Sequence, residues 1–140
     1  KYSHQTGDHN IELRALRLLQ NSQHIVKLLR ADVELPASIV LVIAYCPGGD
    51  LQHYMVRHAP TGLSEDVAMQ YMHYILLAIA HCHAHGVVHR DIKLENFVFA
   101  KAECKPDQLR LVDFGLAHID APHCECGCTS TATDTALTFA

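Results

Sequence analysis

The chain has 140 residues, 49% of them hydrophobic and only 19% charged, with a formal net charge of −4; soluble domains carry roughly 25% charged residues. The acidic balance leaves no basic surface for nucleic acid. No apolar run approaches the ~20 residues that span a bilayer, the longest being residues 39–46.

No signal-peptide pattern opens the chain and the six cysteines form no secreted disulfide framework. The expected setting is therefore intracellular (cytoplasmic or nuclear) and reducing. The length suits one small domain or part of a larger one; the chain starts with Lys1 rather than Met, and both ends read as cuts.

Residues 1–9 are polar and read as a loop. From Asn10, a candidate cap, to Gln20, the apolar residues Ile11, Leu13, Ala15, Leu16, Leu18 and Leu19 predict a helix with one broad buried face. Residues 25–29 and 39–43 are short β-branched runs that predict an antiparallel pair, joined by a turn near Pro36. Pro47-Gly48-Gly49 ends the second strand, and a short helix is expected over residues 50–58. Ser64 is a candidate N-cap, with Glu65 and Asp66 in a first turn where the helix dipole favours acids. Residues 67–85 then predict a long helix, apolar along the stripe of Val67, Tyr71, Ile75 and Ile79 and along that of Met72, Leu76 and Ala80, and so covered on most sides. Gly86 stops it. Residues 97–99 and 109–112 predict a hairpin around the polar loop 101–108, which puts Asn96 at one strand start and Asp113 at the other strand end, facing one site. The tail from Ala117 has no periodicity, and the chain has no internal repeat.

The run His89-Arg90-Asp91-Ile92-Lys93-Leu94-Glu95-Asn96, followed by Asp113-Phe114-Gly115, carries the chemistry. Two acids, a lysine and an amide in this order suit the holding of Mg²⁺-ATP beside a hydroxyl and the transfer of its terminal phosphoryl group. Either triplet alone is commonplace; the ordered set is not. H-R-D-x-K-x-x-N plus D-F-G resembles the catalytic and metal loops of eukaryotic protein kinases, and the lysine two places after Asp91 resembles the Ser/Thr-directed branch.

The resemblance implies an α+β, protein-kinase-like fold in truncated form. Its parts would be a small-lobe portion (1–43) with the C-helix and two strands, a hinge (44–50), and a large-lobe portion (51–140) with the first long helix, the catalytic-loop and metal-loop hairpin and most of the activation segment. The cofactors implied are ATP and Mg²⁺; the partner implied is a protein substrate, with no nucleic acid and no membrane. Asp91 would accept the substrate hydroxyl proton. Lys93 would place a positive charge against the transferring phosphate. Asn96 and Asp113 would hold Mg²⁺ through oxygen, as this hard cation prefers, and Gly115 would give the metal loop its backbone freedom.

The flanks extend the likeness. Glu12 resembles the C-helix glutamate that pairs with the ATP-positioning lysine, and Leu16 lies one turn on. Leu16, Leu28, His89 and Phe114 would stack as the regulatory apolar column, and plain core packing serves Leu16 and Leu28 equally. Ile43 would be the gatekeeper, Ala44 and Cys46 would face adenine through their backbones, and Val98 would pack under the ring. Many kinases carry an acid where Ala44 stands. Asp50 would approach the ribose or cap the following helix. Arg90 would pair with a phosphate on the activation segment, with Thr129, Ser130, Thr131, Thr133 and Thr135 as acceptors.

Several family features are missing from these 140 residues: the glycine-rich loop, the V-A-I-K strand and a closing A-P-E. Lys1, eleven residues before Glu12, is the candidate for the absent strand's lysine. Cys124, Cys126 and Cys128, with His118 and His123, lack the C-x₂-C spacing of a zinc knuckle. His81, His83 and His85 read as incidental, and His89 alone of the twelve histidines takes a role. Poor activity is expected of a chain lacking the phosphate-clamping loop. The alternative is a kinase-derived binding module without catalysis. An unrelated helical domain with fortuitous motifs would leave Asp91 and Asp113 far apart.

Overall fold

A computed structural model describes residues 2–3, 11–34 and 38–120. Strands β1 (Tyr2–Ser3), β2 (Leu28–Glu34) and β3 (Ser38–Ile43) form one antiparallel sheet in the order β1-β3-β2. Helix α1 (Ile11–Leu18) lies beside it, and α2 (Leu51–His58) and the long α3 (Glu65–Ala84) follow. Below them come two small antiparallel ladders. Strand β4 (Val87–Val88) pairs with β7 (His118–Ile119), and β5 (Phe97–Phe99) pairs with β6 (Leu109–Leu111).

Two expectations for the first 43 residues need correction, and others lie outside the described residues. Tyr2–Ser3 is a strand, paired with Ile39 and Val40, rather than loop. Strand β2 starts at Leu28 and runs to Glu34; Ile25 instead bridges Leu111, and Val26 donates its amide to the Leu111 carbonyl at 3.1 Å. The hairpin captures this β-branched pair, and both side chains are buried there. The cap at Asn10, the turn at Pro36, Lys1 and the whole Thr- and Cys-rich tail from Ala121 lie outside the described residues.

Helix α1 buries Leu13, Ala15 and Leu16 as the spacing predicts, with Leu19 just beyond its end, and exposes Leu18. Helix α3 departs from expectation. Tyr71, Ile75, Ala78 and Cys82 are buried, but Met69, Met72 and Leu76 are each more than half exposed. Its apolar character all round therefore meets cover on one side only among the described residues. Ser64 takes the N-cap position in extended conformation but makes no side-chain cap bond, so the dipole-favoured Glu65 and Asp66 are left to complement that end. Gly86 ends the helix with φ +66°, as a residue without Cβ can.

The core joins α1, α3 and the β5–β6 hairpin. Phe97, Phe99, Leu109 and Leu111 point inward from the hairpin and are almost fully buried, as are Leu16, Leu19 and Phe114. Each such side chain contributes roughly 1.5–3 kcal/mol through burial. Tyr54, Tyr71 and Phe99 form a tilted ring cluster with centroids 5.2–6.2 Å apart, which ties α2 and α3 to the hairpin. Ladder β4–β7 has no counterpart among the expected elements, since two-residue strands carry no periodicity; it anchors the chain after the D-F-G triplet to the residues just before His89. No described helix is long and apolar enough to cross a membrane.

Candidate active site

The hairpin builds the site. Beyond its last paired residues, the Val112 amide donates to the Asn96 carbonyl at 2.9 Å, so Asn96 and Asp113 leave the two strands side by side. Asn96 closes a short 3₁₀ turn (Leu94–Asn96), its own amide bonded to the Lys93 carbonyl at 3.0 Å. Its side-chain Nδ2 donates to the Asp91 carbonyl at 2.8 Å and to the Asp91 carboxylate at 3.0 Å. With the nitrogen committed to Asp91, the amide oxygen is the atom that can meet a cation.

Asp91 also accepts from Lys93 Nζ at 2.7 Å. That bond, then the one from Asn96, holds the Asp91 carboxyl below the usual carboxylate range, while the same contact raises Lys93. Asp91 is therefore ionised at neutral pH and able to accept a proton only as a strongly hydrogen-bonded base.

His89 ties the two loops together. It is 3% exposed, its Nε2 lies 2.9 Å from the Val112 carbonyl, and its Nδ1 accepts from the Asp91 amide at 3.3 Å. Because the Asp91 N–H is a donor, Nδ1 must be the acceptor, which leaves the proton on Nε2. The ring meets Phe114 edge-on at 4.8 Å. Arg90 and Asp113 both hold left-handed backbone with φ 63°, an arrangement that costs a non-glycine residue roughly 1–2 kcal/mol. Gly115 is not among the residues with positive φ, so the backbone freedom expected of it is not used; its amide instead faces the Asp113 carboxylate at 3.4 Å.

A cavity of about 490 Å³ opens above this floor. It gathers Glu12 from α1, Ile43 from β3, Ala44 and Cys46 from the segment after it, Asn96, Val98 and Asp113, all singled out in the sequence, and adds Val26, Leu41, Tyr45 and Val112. Leu41 is legible in the sequence: it stands two residues from Ile43, on the same face of β3. Val26 and Val112 flank elements whose inward faces the sequence alone does not resolve. Among the described residues no hydrogen bond uses the Cys46 main-chain N–H or carbonyl, so both stay available in the cavity mouth. Val98 is set by the backbone on the other side, where Phe99 donates to the Gly49 carbonyl at 2.8 Å and Asp50 bridges Val98.

Other residues fall elsewhere. Asp50 caps α2, its Oδ1 accepting from the His53 amide at 2.7 Å, and does not line the cavity. Leu16, His89 and Phe114 are buried and Leu28 is half-buried against the same core. Arg90 donates to the Leu116 and Ala117 carbonyls at 2.7 and 3.3 Å; the hydroxyls expected to carry its phosphate partner lie outside the described residues. His81 and His85, incidental by sequence, share one helix face after all, with ring centroids 4.2 Å apart and the His85 ring bonded to the His81 carbonyl. Asp91 and Asp113 are joined through Asn96 and His89, which removes the reading of an unrelated domain with scattered motifs.

The chain belongs to the protein kinase domain family, whose model matches residues 1–135. The chain is similar to the maternal embryonic leucine zipper kinase of Xenopus tropicalis, 37% identical over 105 residues that cover 75% of this chain and 15% of that protein. It is likewise similar to the human SNF-related serine/threonine-protein kinase, 36% identical over 113 residues covering 81% and 14%. The chain thus spans only about 15% of the length of such relatives. Among solved structures, the Cydia pomonella granulovirus kinase PK-1 shares the fold with a TM-score of 0.69 at 24% identity, over 85% of this chain and 42% of that one.

Proposed function

We propose that this chain carries the nucleotide-binding and phosphoryl-transfer centre of a protein kinase that acts on serine or threonine hydroxyls with ATP and Mg²⁺. The observation that carries the reading is the convergence of Asn96 and Asp113 on one hinge-capped cavity while Asn96 holds Asp91 through two hydrogen bonds. In this reading residues 1–43 form the small-lobe part, 44–50 the hinge and 51–140 the large-lobe part. The setting is intracellular, cytoplasmic or nuclear.

Asn96 Oδ1 and the Asp113 carboxylate suit a magnesium ion, which prefers oxygen ligands and when bound would neutralise phosphate charge. The chain's own groups do the rest. The backbones of Ala44 and Cys46 hold the adenine edge, with Ile43 behind and Val98 beneath. Asp91 orients the incoming hydroxyl and accepts its proton, and Lys93, already seated on Asp91, offers its ammonium to the transferring phosphoryl oxygens. The relatives named serine/threonine kinases support the choice of hydroxyl.

We further propose that the 140-residue chain turns over slowly, because its residues include no glycine-rich loop to hold the phosphates in line. A second reading, a binding module without catalysis, is favoured by the exposed Met69, Met72 and Leu76 on α3. Thermal shift with ADP separates the two. Mg²⁺-dependent stabilisation that disappears in Asp113→Ala is expected, and no nucleotide response at all would replace the kinase reading with the module. Rapid peptide phosphorylation abolished by Asp91→Asn would overturn the expectation of slow turnover.

A further inference from the structure

A second cavity, of about 410 Å³, lies on the other side of the hinge and shares Val26, Ala44, Tyr45 and Cys46 with the nucleotide cleft. Its charged lining consists of Lys27 and Arg110, with no carboxylate. The uncharged polar lining comes from the α1–β2 connection: Gln20, Asn21, Ser22 and Gln23. The Ser22 hydroxyl oxygen already accepts from the His24 amide at 3.1 Å, which leaves its hydrogen to donate outward.

Arg110 is the central group. It is half-buried, and its Nη1 donates to the carbonyls of Asp107 at 3.1 Å and Leu109 at 2.8 Å. These bonds fix the guanidinium plane. Its Nε and Nη2 make no hydrogen bond with any described residue, and no described carboxylate stands within ion-pair distance of it, Asp107 acting on it only from farther off. Ala44 presents only a methyl group here. Burial pushes the neighbouring Cys46 thiol up, so no thiolate supplies the missing negative charge at neutral pH. A fixed, partly desolvated guanidinium with two unused donors is costly to leave unpaired and has the fork geometry that oxyanions match.

We propose that this back-of-hinge cavity is an anion site that takes a phosphate group, free or as a monoester, on Arg110 and Lys27. Gln20, Asn21 and Gln23 carry amide donors and Ser22 a hydroxyl, enough to meet the remaining phosphate oxygens. The groups facing the neighbouring His24 ring are Arg110 from β6 and His81, His73 and the Tyr74 ring from α3; burial, then Arg110, His81 and His73, keeps it neutral. An anion on Arg110 offsets the largest electrostatic influence on that ring, so His24 reports on occupancy.

The test is an NMR titration of the 140-residue chain with inorganic phosphate, and separately with O-phosphoserine, at constant ionic strength against chloride. Saturable shifts of the residue 20–27 and Arg110 amides are expected, with the His24 imidazole titrating at higher pH when phosphate is present. Arg110→Gln should weaken binding at least about tenfold, and Ala44→Glu should do the same by giving Arg110 an internal counter-ion. Arg110→Lys should retain most of it, and Asp113→Ala should leave it unchanged. Tighter binding of O-phosphoserine assigns the site to phosphorylated side chains; equal binding assigns it to the phosphate group alone. Shifts centred on Asn96 and Asp113, non-saturable shifts, or affinity indifferent to both Arg110→Gln and Ala44→Glu would overturn the proposal.

Discussion

One amide holds Asp91 from two sides: Asn96 Nδ2 lies 2.8 Å from the Asp91 main-chain oxygen and 3.0 Å from its carboxylate. Asn96 thereby shapes the loop that carries Asp91 while lining the cavity proposed to take the nucleotide. Asn96→Ala removes both functions at once. We predict that affinity for Mg²⁺-ADP, measured by calorimetry, falls at least about tenfold, and that thermal stability drops by about 1–3 kcal/mol, the cost of losing hydrogen bonds to a charged group. Asn96→Asp keeps an oxygen for the metal but loses the donor, and should recover metal-dependent binding better than Asn96→Ala.

His89 is an internal strut between the two loops. Both ring nitrogens are used and the ring is buried against Phe114. His89→Phe keeps the ring contact but strands the part-buried Val112 carbonyl and Asp91 amide, and should cost about 2–6 kcal/mol in urea denaturation, the sum for two unsatisfied groups. A loss indistinguishable from that of an exposed-site control such as His53→Phe would show that these bonds are not made.

Acid should loosen the junction between the α1–β2 connection and α3. Burial, then Arg110, His81 and His73, lowers His24; burial, then His85, lowers His81. His24 Nδ1 and His81 Nε2 have no hydrogen-bond partner among the described residues. Both folded values sit below the ordinary histidine value of about 6.5, so the unfolded chain binds protons that the folded chain refuses. Stability is then present above about pH 6.5 and declines as pH falls toward the folded values. Tm measured from pH 7.5 to 5.5 should drop, and the drop should be shallower in His24→Gln/His81→Gln; parallel curves would rule these two histidines out.

Two adjacent glycines should respond for different reasons. A Cβ on Gly48 would press into the Lys101 carbonyl and lie 2.5 Å from Phe99 Cβ, whereas at Gly49 it would meet open space, with φ +74°. Gly48→Ala must push β5 away from the hinge, at a cost of about 3 kcal/mol or more for forced repacking. Gly49→Ala incurs only the left-handed backbone penalty of about 1–2 kcal/mol. Differential scanning calorimetry should rank Gly48→Ala well below Gly49→Ala in Tm.

The site is more legible in the sequence than the packing around it. The residues from His89 to Asn96 and from Asp113 to Gly115 are read by identity and order, and the predicted β5–β6 hairpin is enough to place Asn96 beside Asp113. What the chain alone conceals depends on tertiary competition. Ile25 and Val26 have strand-like side chains, yet the hairpin captures them and β2 starts later. Helix α3 is apolar on every side, a pattern that cannot say which side is covered. Asp50 carries two compatible chemistries, and only the His53 amide at 2.7 Å identifies the one it performs here. Arg110 reads as an ordinary strand residue, because the lack of a described carboxylate within ion-pair distance is a property of the surroundings.

The ladders β4–β7 and β5–β6 are nested, with eight residues (89–96) on one side between them and six (112–117) on the other. The residues of the candidate site therefore occupy the equivalent of an internal loop between two stems. Extra residues added at the far tip, around 101–105, would merely enlarge a bulb of solvent-facing chain. One residue added on either side between the stems would throw that side out of step with the opposite one, and the spacing of the two short segments is consequently the most rigidly counted dimension of the molecule.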